Sequence, residues 1–314
     1  MSLPIEEARH GAIPPAVKNA TFISEYFQSF EVNKLLPSSY LEVSKFSLKM
    51  NCFFYHFKLT ISGLWAILLC SIFATDIQQC TICLQPLKVD YLVDAWGNAF
   101  HSKHEKEGLF CYSCSRIISQ GVTRGGYVYP DGRHLCSLCQ ITVVHKDSSI
   151  LRAYQSVTTQ LGTIGITNSP MGIPINLVDL NQLNEKAGNL SHLKLKGFTH
   201  FEKKSNSLTS SDKPYHIFIL SGLPRLEFEA VLAHEFLHIW LEINSIQLNE
   251  KTAEGFCNLG SYLIYKNDDT HFSQIHLQAM ENDPDEIYGS GFRYMKSVLL
   301  EIGWEKLLTK MRTF

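Results

Sequence analysis

His234 and His238 stand four residues apart with Glu235 between them, in the string His234-Glu235-Phe236-Leu237-His238, and Glu254 follows sixteen residues after His238. On an α-helix, 3.6 residues per turn bring positions i and i+4 onto one face. Two imidazoles placed this way can grip one Zn²⁺, and the glutamate between them sits beside the ion without having to ligate it. Zinc held by three protein ligands keeps a fourth position for water, lowers the pKa of that water toward ~7 and polarises a carbonyl. Glu235 is then placed to take the proton of the water and hand it to a leaving amine. That is the chemistry of peptide-bond hydrolysis, with a protein or peptide as substrate. It makes His234, His238 and Glu254 the expected ligands of a catalytic zinc and Glu235 the expected base.

The elements that must position these residues are visible in the flanks. Leu226 to Ile243 reads as one helix, with apolar residues at Val231, Leu232, Leu237, Trp240 and Leu241. After a break at Asn244-Ser245, Asn249 can cap a second helix running to about Tyr265. Glu254 lies one turn inside it, so an antiparallel helix pair returns its carboxylate toward the histidines. Glu250 is the rival third ligand, but as the first residue after the cap it suits the helix dipole better. The plain alternative for the whole motif is a solvated His-Glu-His face on an ordinary amphipathic helix. Tyr288 and Arg293 can donate to a developing oxyanion, or simply pack around Gly289 and Gly291, which is the preferred reading. Cys257 suits a small packed residue rather than a nucleophile. Ahead of the helix pair, apolar runs at Ile173–Leu180 and Ile217–Leu220, separated by turn-rich segments at Ser205-Asn206 and Ser210-Ser211-Asp212, predict a small twisted sheet. Ile217–Leu220 is either the edge strand that pairs with extended substrate or a buried structural strand.

A second set of ligand types falls into pairs separated by two residues: Cys80/Cys83, His101/His104, Cys111/Cys114 and Cys136/Cys139. Each pair can form a tight knuckle whose donors converge on one ion. The simplest assignment gives one zinc Cys80, Cys83, His101 and His104, and another Cys111, Cys114, Cys136 and Cys139. Both sets are four-coordinate and closed, hence structural, so the chain is expected to carry three zinc ions, one catalytic and two structural. The alternative, a disulfide framework, fits poorly with histidines occupying one of the pairs. The arrangement resembles a LIM domain, C-x₂-C-x₁₇-H-x₂-H followed by C-x₂-C-x₂₁-C-x₂-C, with Trp96, Phe100 and Tyr112 at fitting aromatic positions. Six residues, Glu105 to Phe110, separate the two halves where LIM domains usually have two, so the relative angle of the halves does not follow from the resemblance; giving Cys111 to the first site would leave the second one ligand short, so His104 keeps its place.

Several separated motifs carry a further resemblance. Ile217-Phe-Ile-Leu-Ser-Gly-Leu-Pro-Arg-Leu226, Val231-Leu-Ala-His-Glu-Phe-Leu-His-Ile-Trp-Leu241, Glu254-Gly255-Phe256-Cys257 and Tyr288-Gly-Ser-Gly-Phe-Arg293 look like the plant LIM-domain metallopeptidases known as "DA-one". The resemblance runs from about Cys80 to the end. It implies a gluzincin-type peptidase, with Glu254 in the Glu-Gly-x-Cys segment as the third zinc ligand. The implied fold class is α+β: a small LIM-like double zinc-ribbon module, then a mainly helical zincin domain with a small sheet. The LIM-like module implies a possible protein partner. Plant members carry ubiquitin-interacting helices ahead of the module; no acidic-apolar helix of that kind is present, so ubiquitin dependence is not carried over. Ala253 stands where the family often has a glutamate, which removes charge but no ligand. The alternative function is a LIM-type interaction scaffold whose peptidase-like domain is inactive, against which stands the presence of all four core residues.

A length of 314 residues suits two compact units. The net charge of −2 offers nothing to nucleic acid. Leu59 to Thr75 is uncharged over seventeen residues and follows His56 and Lys58, which suits a signal-peptide core or a membrane anchor with Met50 as start and a cleavage point near Ala74. The expected organisation is therefore a lead over 1–49, a signal or anchor over 50–75, a LIM-like module over 76–145 and a peptidase domain over 150–314. This gives a secreted, periplasmic or membrane-anchored protein, with a cytoplasmic one as the alternative if 59–75 is a core helix. Cys52 and Cys70 would belong to the removed segment.

Overall fold

Pro224 has its φ fixed by its ring just ahead of the first turn of a helix, and nineteen residues free of glycine and proline follow it. The computed structural model describes residues 78–87, 91–106, 109–167, 172–188, 195–201 and 215–313; the lead expected over 1–49 and the signal or anchor expected over 50–75 lie outside them. In chain order the elements are β1 (Tyr91–Val93), β2 (Ala99–His101), a 3-10 turn (Ser102–His104), α1 (Gln120–Thr123), β3 (Gly126–Val128), β4 (His134–Cys136), α2 (Ser137–Gln140), α3 (Asp147–Thr163), β5 (Ile175–Val178), α4 (Leu180–Lys186), β6 (Gly197–Phe201), β7 (Tyr215–Leu220), α5 (Arg225–Ile243), α6 (Glu250–Lys266), α7 (His271–Asn282) and α8 (Tyr288–Met311). The fold is α+β: short zinc-ribbon hairpins, a three-stranded sheet and a helical body, as the sequence implies.

Two compact units divide the described residues. The first holds residues up to Phe110 together with Ser115–Gly125; the second holds Cys111–Cys114 and everything from Gly126 onward. The division does not fall at the boundary expected between 145 and 150. Cys111, Cys114, Cys136 and Cys139 share a unit with α5 and α6, because the chain leaving the second knuckle is stitched to the loop ahead of α5. Val143 bridges Pro224, the Val144 N–H donates to the Leu223 carbonyl at 3.1 Å, and the Arg225 N–H donates to the Thr142 carbonyl at 2.9 Å.

In the smaller unit, β1 and β2 form an antiparallel hairpin in which Leu92 faces Phe100. Cys80, Phe100 and Ile117 make its buried core. Asp94 is buried and spends its carboxylate on backbone N–H groups of Trp96, Asn98 and Ile117, each at 2.9 Å, which ties the hairpin turn to the end of the unit.

In the larger unit α5 is the central element. Twelve of its nineteen residues are buried, so it is enclosed on all sides and does not lie at a surface with one dry stripe. α3 presents Ala153, Val157 and Leu161, spaced at i, i+4 and i+8, to this core, and the Tyr154 ring meets Phe236 edge-on at 5.3 Å. The sheet order is β5-β7-β6, with β5 parallel and β6 antiparallel to β7. β7 is therefore the middle strand, with Ile217, Ile219 and Leu220 fully buried. Of the two readings of Ile217–Leu220, the buried structural strand holds and the edge strand does not: both sides of that strand have partners, and β6 is an outer strand among the described residues. A run of consecutive apolar residues identifies burial, and burial favours the middle of a sheet.

α6 begins at the cap the sequence predicts: the Asn249 side chain accepts from the Thr252 N–H at 3.0 Å. It packs closely on both sides. A Cβ at Gly255 would lie 2.3 Å from the Gly291 carbonyl oxygen of α8, and one at Gly260 would lie 2.7 Å from the Ala233 carbonyl oxygen of α5. The Glu254-Gly255 pair is thus a ligand candidate beside a close helix crossing. No helix among the described residues is long and apolar enough to cross a membrane.

Two measurements check this packing. Gly291→Ala forces backbone apart and is expected to lower stability by about 1–3 kcal/mol in urea denaturation, whereas Gly162→Ala, with nothing within 4 Å of the added methyl, should raise it by up to ~1 kcal/mol. His276 is 4% exposed, stacked on Tyr265 at 4.8 Å, and burial lowers its pKa from 6.5 to about 4. A histidine with a depressed folded pKa contributes fully above its unfolded pKa, and that contribution is lost as pH falls from 6.5 to about 4. The stability difference between the wild type and His276→Phe should therefore shrink across that window, by up to ~3 kcal/mol; a difference constant with pH would contradict a neutral buried His276.

Candidate metal centres

The face of α5 that turns toward α6 carries His234 and His238. Their Nε2 atoms lie 3.0 Å apart. The helix pair returns Glu254 as the sequence implies, with its Oε2 3.3 Å from His234 Nε2 and 3.6 Å from His238 Nε2. Ligand atoms ~2.0–2.1 Å from a tetrahedral zinc stand ~3.4 Å from one another, and the three observed separations straddle that value. Glu254 Oε2 is buried and makes no hydrogen bond of acceptable geometry. A buried carboxylate oxygen facing two imidazole nitrogens is a donor set that calls for a cation. The residues present therefore fit a zinc ion.

The three groups also shift one another's proton affinities. Burial works against the charge on Glu254, but the imidazoles of His238 and His234 beside it outweigh this and hold the carboxyl far below the usual range. Burial likewise opposes protonation of His238, and the neighbouring Cys257 and Glu254 hold its pKa well above 6.5. Glu250, the rival ligand, is outside the cluster; burial and then the negative charges of Glu254 and Asp285 raise its pKa.

Two further residues complete the surroundings. Asn258 sits one turn beyond Glu254 on α6, and its Oδ1 lies 3.0 Å from His234 Nδ1. With an amide oxygen as acceptor, Nδ1 carries the proton and Nε2 turns its lone pair into the cluster. The Asn258 Nδ2 donates to the Tyr288 carbonyl at 3.3 Å, which fixes that amide orientation. Glu235 is next to His234 but not among the converging atoms. It is 5% exposed, and the Thr199 hydroxyl of β6 donates to its Oε2 at 2.7 Å. Gly197, two residues earlier on β6, makes room for it, since a Cβ there would stand 2.4 Å from Glu235 Oε1.

Thr199, Gly197 and Asn258 were not anticipated from sequence. Asn258 had a signal, being four residues from Glu254 on the same helical face; the two β6 residues had none, because nothing local links them to residue 235. Of the two oxyanion candidates, Arg293 donates to the Glu281 carbonyl at 3.1 Å and to the Asp283 carbonyl, so it closes the end of α7. Tyr288 offers its backbone carbonyl to Asn258; burial first, then the charges of Glu254, Glu235 and Glu250, push its phenol far above the usual value. Cys257 is fully buried in the core, and burial raises its thiol to about 11, which fits packing rather than nucleophilic attack.

The cysteine and histidine pairs also converge as the spacing implies. Cys80, Cys83, His101 and His104 form one cluster and Cys111, Cys114, Cys136 and Cys139 another, with ligand atoms all within 4.8 Å of one another. Cys83 Sγ lies 3.4 Å from His101 Nδ1, and Cys114 Sγ lies 3.8 Å from Cys136 Sγ; thiolates ~2.3 Å from a tetrahedral zinc stand ~3.8 Å apart. None of the seven described cysteines is in a disulfide. Backbone N–H groups point at the sulfurs, Ile82 N to Cys80 Sγ at 3.5 Å and Cys136 N to Cys111 Sγ at 3.3 Å. Burial opposes the Cys80 thiolate, yet such hydrogen bonds bring its pKa down to about 7, toward the form that ligates metal. Leu84 and Ser115, each immediately after the second cysteine of a knuckle, adopt left-handed backbone with φ of 60° and 57°. Non-glycine residues accept that strain, about 1–2 kcal/mol, only where the surroundings impose it.

Residues 193–274, which contain both helices of the histidine site, match the family model described as DA1-like, "Protein DA1". The chain is similar to "Protein DA1-related 2" of Arabidopsis thaliana, 27% identical over 197 residues that cover 54% of this chain and 37% of that one. It is similar to "LIM domain-containing protein HDR3" of Oryza sativa subsp. japonica, 22% identical over 74% of this chain and 60% of the relative. "Protein DA1" of A. thaliana is 23% identical over 68% of this chain and 50% of its own length. The chain thus spans between about a third and three fifths of the lengths of these curated relatives. No solved structure matches it.

The zinc content separates the two candidate third ligands. Glu254→Ala should remove one zinc per chain, because two imidazoles alone hold the ion too weakly. Glu250→Ala loses at most ~0.3–1 kcal/mol of helix-dipole interaction and should keep every ion. Elemental analysis after gel filtration reads both, and the reverse pattern would assign the ligand to Glu250.

Proposed function

We propose that this DA1-like chain is a zinc-dependent peptidase that cleaves peptide bonds in protein substrates. The observation that carries the reading is the convergence of His234, His238 and Glu254 beside a buried carboxylate, Glu235, that stays out of the cluster. Bound there, zinc would supply a Lewis acid that acidifies a water and polarises the substrate carbonyl. His234 and His238 would ligate it through Nε2, with Asn258 fixing the tautomer of the first, and Glu254 would contribute the negative charge.

Glu235 handles the proton. Thr199 engages Oε2, and Oε1 takes the space that a side chain at residue 197 would fill. The carboxylate accepts a proton from the attacking water and returns it to the leaving nitrogen, which departs as a neutral amine. Among the described residues β6 is an outer strand that carries both Gly197 and Thr199, so its edge away from β7 can pair with an extended substrate next to the proton acceptor. The two cysteine-containing clusters act as closed structural zinc sites, bringing the zinc complement to three, and the hairpin module with Cys80 and His101 is offered as a surface for a protein partner.

Glu235→Gln tests the reading. The amide is nearly isosteric and keeps the Thr199 contact, but accepts no proton, so hydrolysis of fluorescent casein should fall by about 10²–10⁴-fold while zinc content stays unchanged. Wild-type rates in Glu235→Gln would assign any activity to another site.

A further inference from the structure

Three glutamates of α5 are buried, at positions 227, 229 and 235, and a buried carboxylate requires a partner. Glu229 has Arg225 Nε at 2.7 Å and the Ser156 hydroxyl at 3.1 Å. Glu235 has Thr199. Glu227 is 1% exposed and lies eight residues, more than two turns, ahead of Glu235. It accepts hydrogen bonds from the ammonium of Lys196 and from the hydroxyl of Ser113. Burial alone would drive Lys196 toward its neutral form; the Glu227 carboxylate outweighs this and holds its pKa above the usual value.

The two partners come from informative places. Lys196 is the residue before Gly197, and its carbonyl accepts from the Leu220 N–H at 2.9 Å, so it anchors the start of β6 to β7. Ser113 is inside the knuckle between Cys111 and Cys114. The Tyr112 N–H donates to the His134 carbonyl at 2.7 Å and the Tyr112 ring lies 5.2 Å from Lys196 Nζ. Arg133, paired with Asp131, donates to the Ser221 carbonyl at 2.8 Å, which adds a second strut from the knuckle to the loop between β7 and α5. One carboxylate thus joins the knuckle, the strand that borders Glu235, and the helix that carries Glu235.

We propose that Lys196, Glu227 and Ser113 are positioning residues for Glu235: they clamp β6 onto α5 so that Gly197 and Thr199 close on its carboxylate, and they make turnover depend on closure of the four-cysteine knuckle. The proposal rests on the peptidase reading for its effect on rate, but not for the clamp itself. Severing a buried pair by removing one charge strands the other, so the clamp either stays made or fails substantially. Glu235 tolerates little drift of β6, because one side of its carboxylate is held by Thr199 and the other occupies the space a Cβ at residue 197 would fill. A displacement of ~1 Å in such a site costs about 100-fold in rate.

The test uses the full chain as wild type, Lys196→Met, Lys196→Arg and Ser113→Ala. The readouts are kcat and KM for fluorescent casein, zinc content, and amide hydrogen exchange over 195–201 and the helices. Lys196→Met should lose about 10–100-fold in kcat with KM within ~2-fold and zinc unchanged, and exchange should quicken at 197–201 while α6 stays protected. Lys196→Arg, which keeps the charge, should recover most of the rate. Ser113→Ala removes one hydrogen bond to a charged group and should show the same pattern at about tenfold or less; it carries the test if Lys196→Met does not fold. Wild-type exchange at 197–201 in Lys196→Met and Ser113→Ala, or exchange rising evenly through α5, α6 and β7, overturns the clamp. If the wild type itself leaves casein intact, the peptidase reading is what fails, and the exchange pattern alone decides the clamp.

Discussion

Two imidazole nitrogens 3.0 Å apart and a carboxylate oxygen 3.3 and 3.6 Å from them cannot all aim lone pairs at one point unless positive charge sits there. Much of the larger unit can be read as the means of imposing that convergence. Most of α5 is buried, which fixes the backbone that carries His234 and His238. α6 is held against α5 at Gly260 and against α8 at Gly255, contacts too close for any side chain. Glu254, one residue before the second of these crossings, is fixed in depth as well as in direction. The Asn258 amide, anchored on the Tyr288 carbonyl, then orients the first imidazole.

The second constraint is that charge is buried well away from the histidines. Glu227 and Lys196 form a pair in the interior, and the hydroxyl that completes their bonding comes from a metal knuckle. Such a pair is weak evidence for stability, since desolvation offsets most of the attraction, but it is exacting about geometry. This explains why the four-cysteine cluster groups with the helical body and not with the Cys80 cluster. A metal held by its four cysteines would make that knuckle a rigid corner of the body, where a hydrophobic contact would give only adhesion.

The metal-facing part of the histidine site was legible in the sequence because it is built from local features. His234, Glu235 and His238 sit within five residues, Asn249 announces the start of α6, and the break at Asn244-Ser245 forces the chain to reverse, so the position of Glu254 follows from helix geometry. The two cysteine clusters were legible for the same reason, each knuckle being a two-residue turn. What the sequence did not carry is which core each knuckle packs on. Cysteine spacing reports shared ions, whereas the union of Cys111–Cys139 with the helical body depends on Val143, Val144 and Thr142 meeting the 223–225 segment. The strand order was hidden too. Ile217–Leu220 shows its apolar character plainly, but only pairing tells a middle strand from an edge, and β6, with its mixed Gly-Phe-Thr-His-Phe pattern, advertises nothing of the contact between Thr199 and Glu235.

The central claim is that zinc occupies the histidine–glutamate centre in addition to both cysteine-containing clusters, and X-ray absorption at the zinc edge on the full chain tests it most directly. Six cysteine sulfurs shared among three ions give an average of two sulfurs per zinc, with nitrogen and oxygen filling the remaining positions. A first shell of two sulfurs per zinc, together with three zinc ions per chain, is the expected result. Three sulfurs per zinc and two ions per chain would mean that only the cysteine clusters hold metal, and would contradict a zinc centre built from His234, His238 and Glu254.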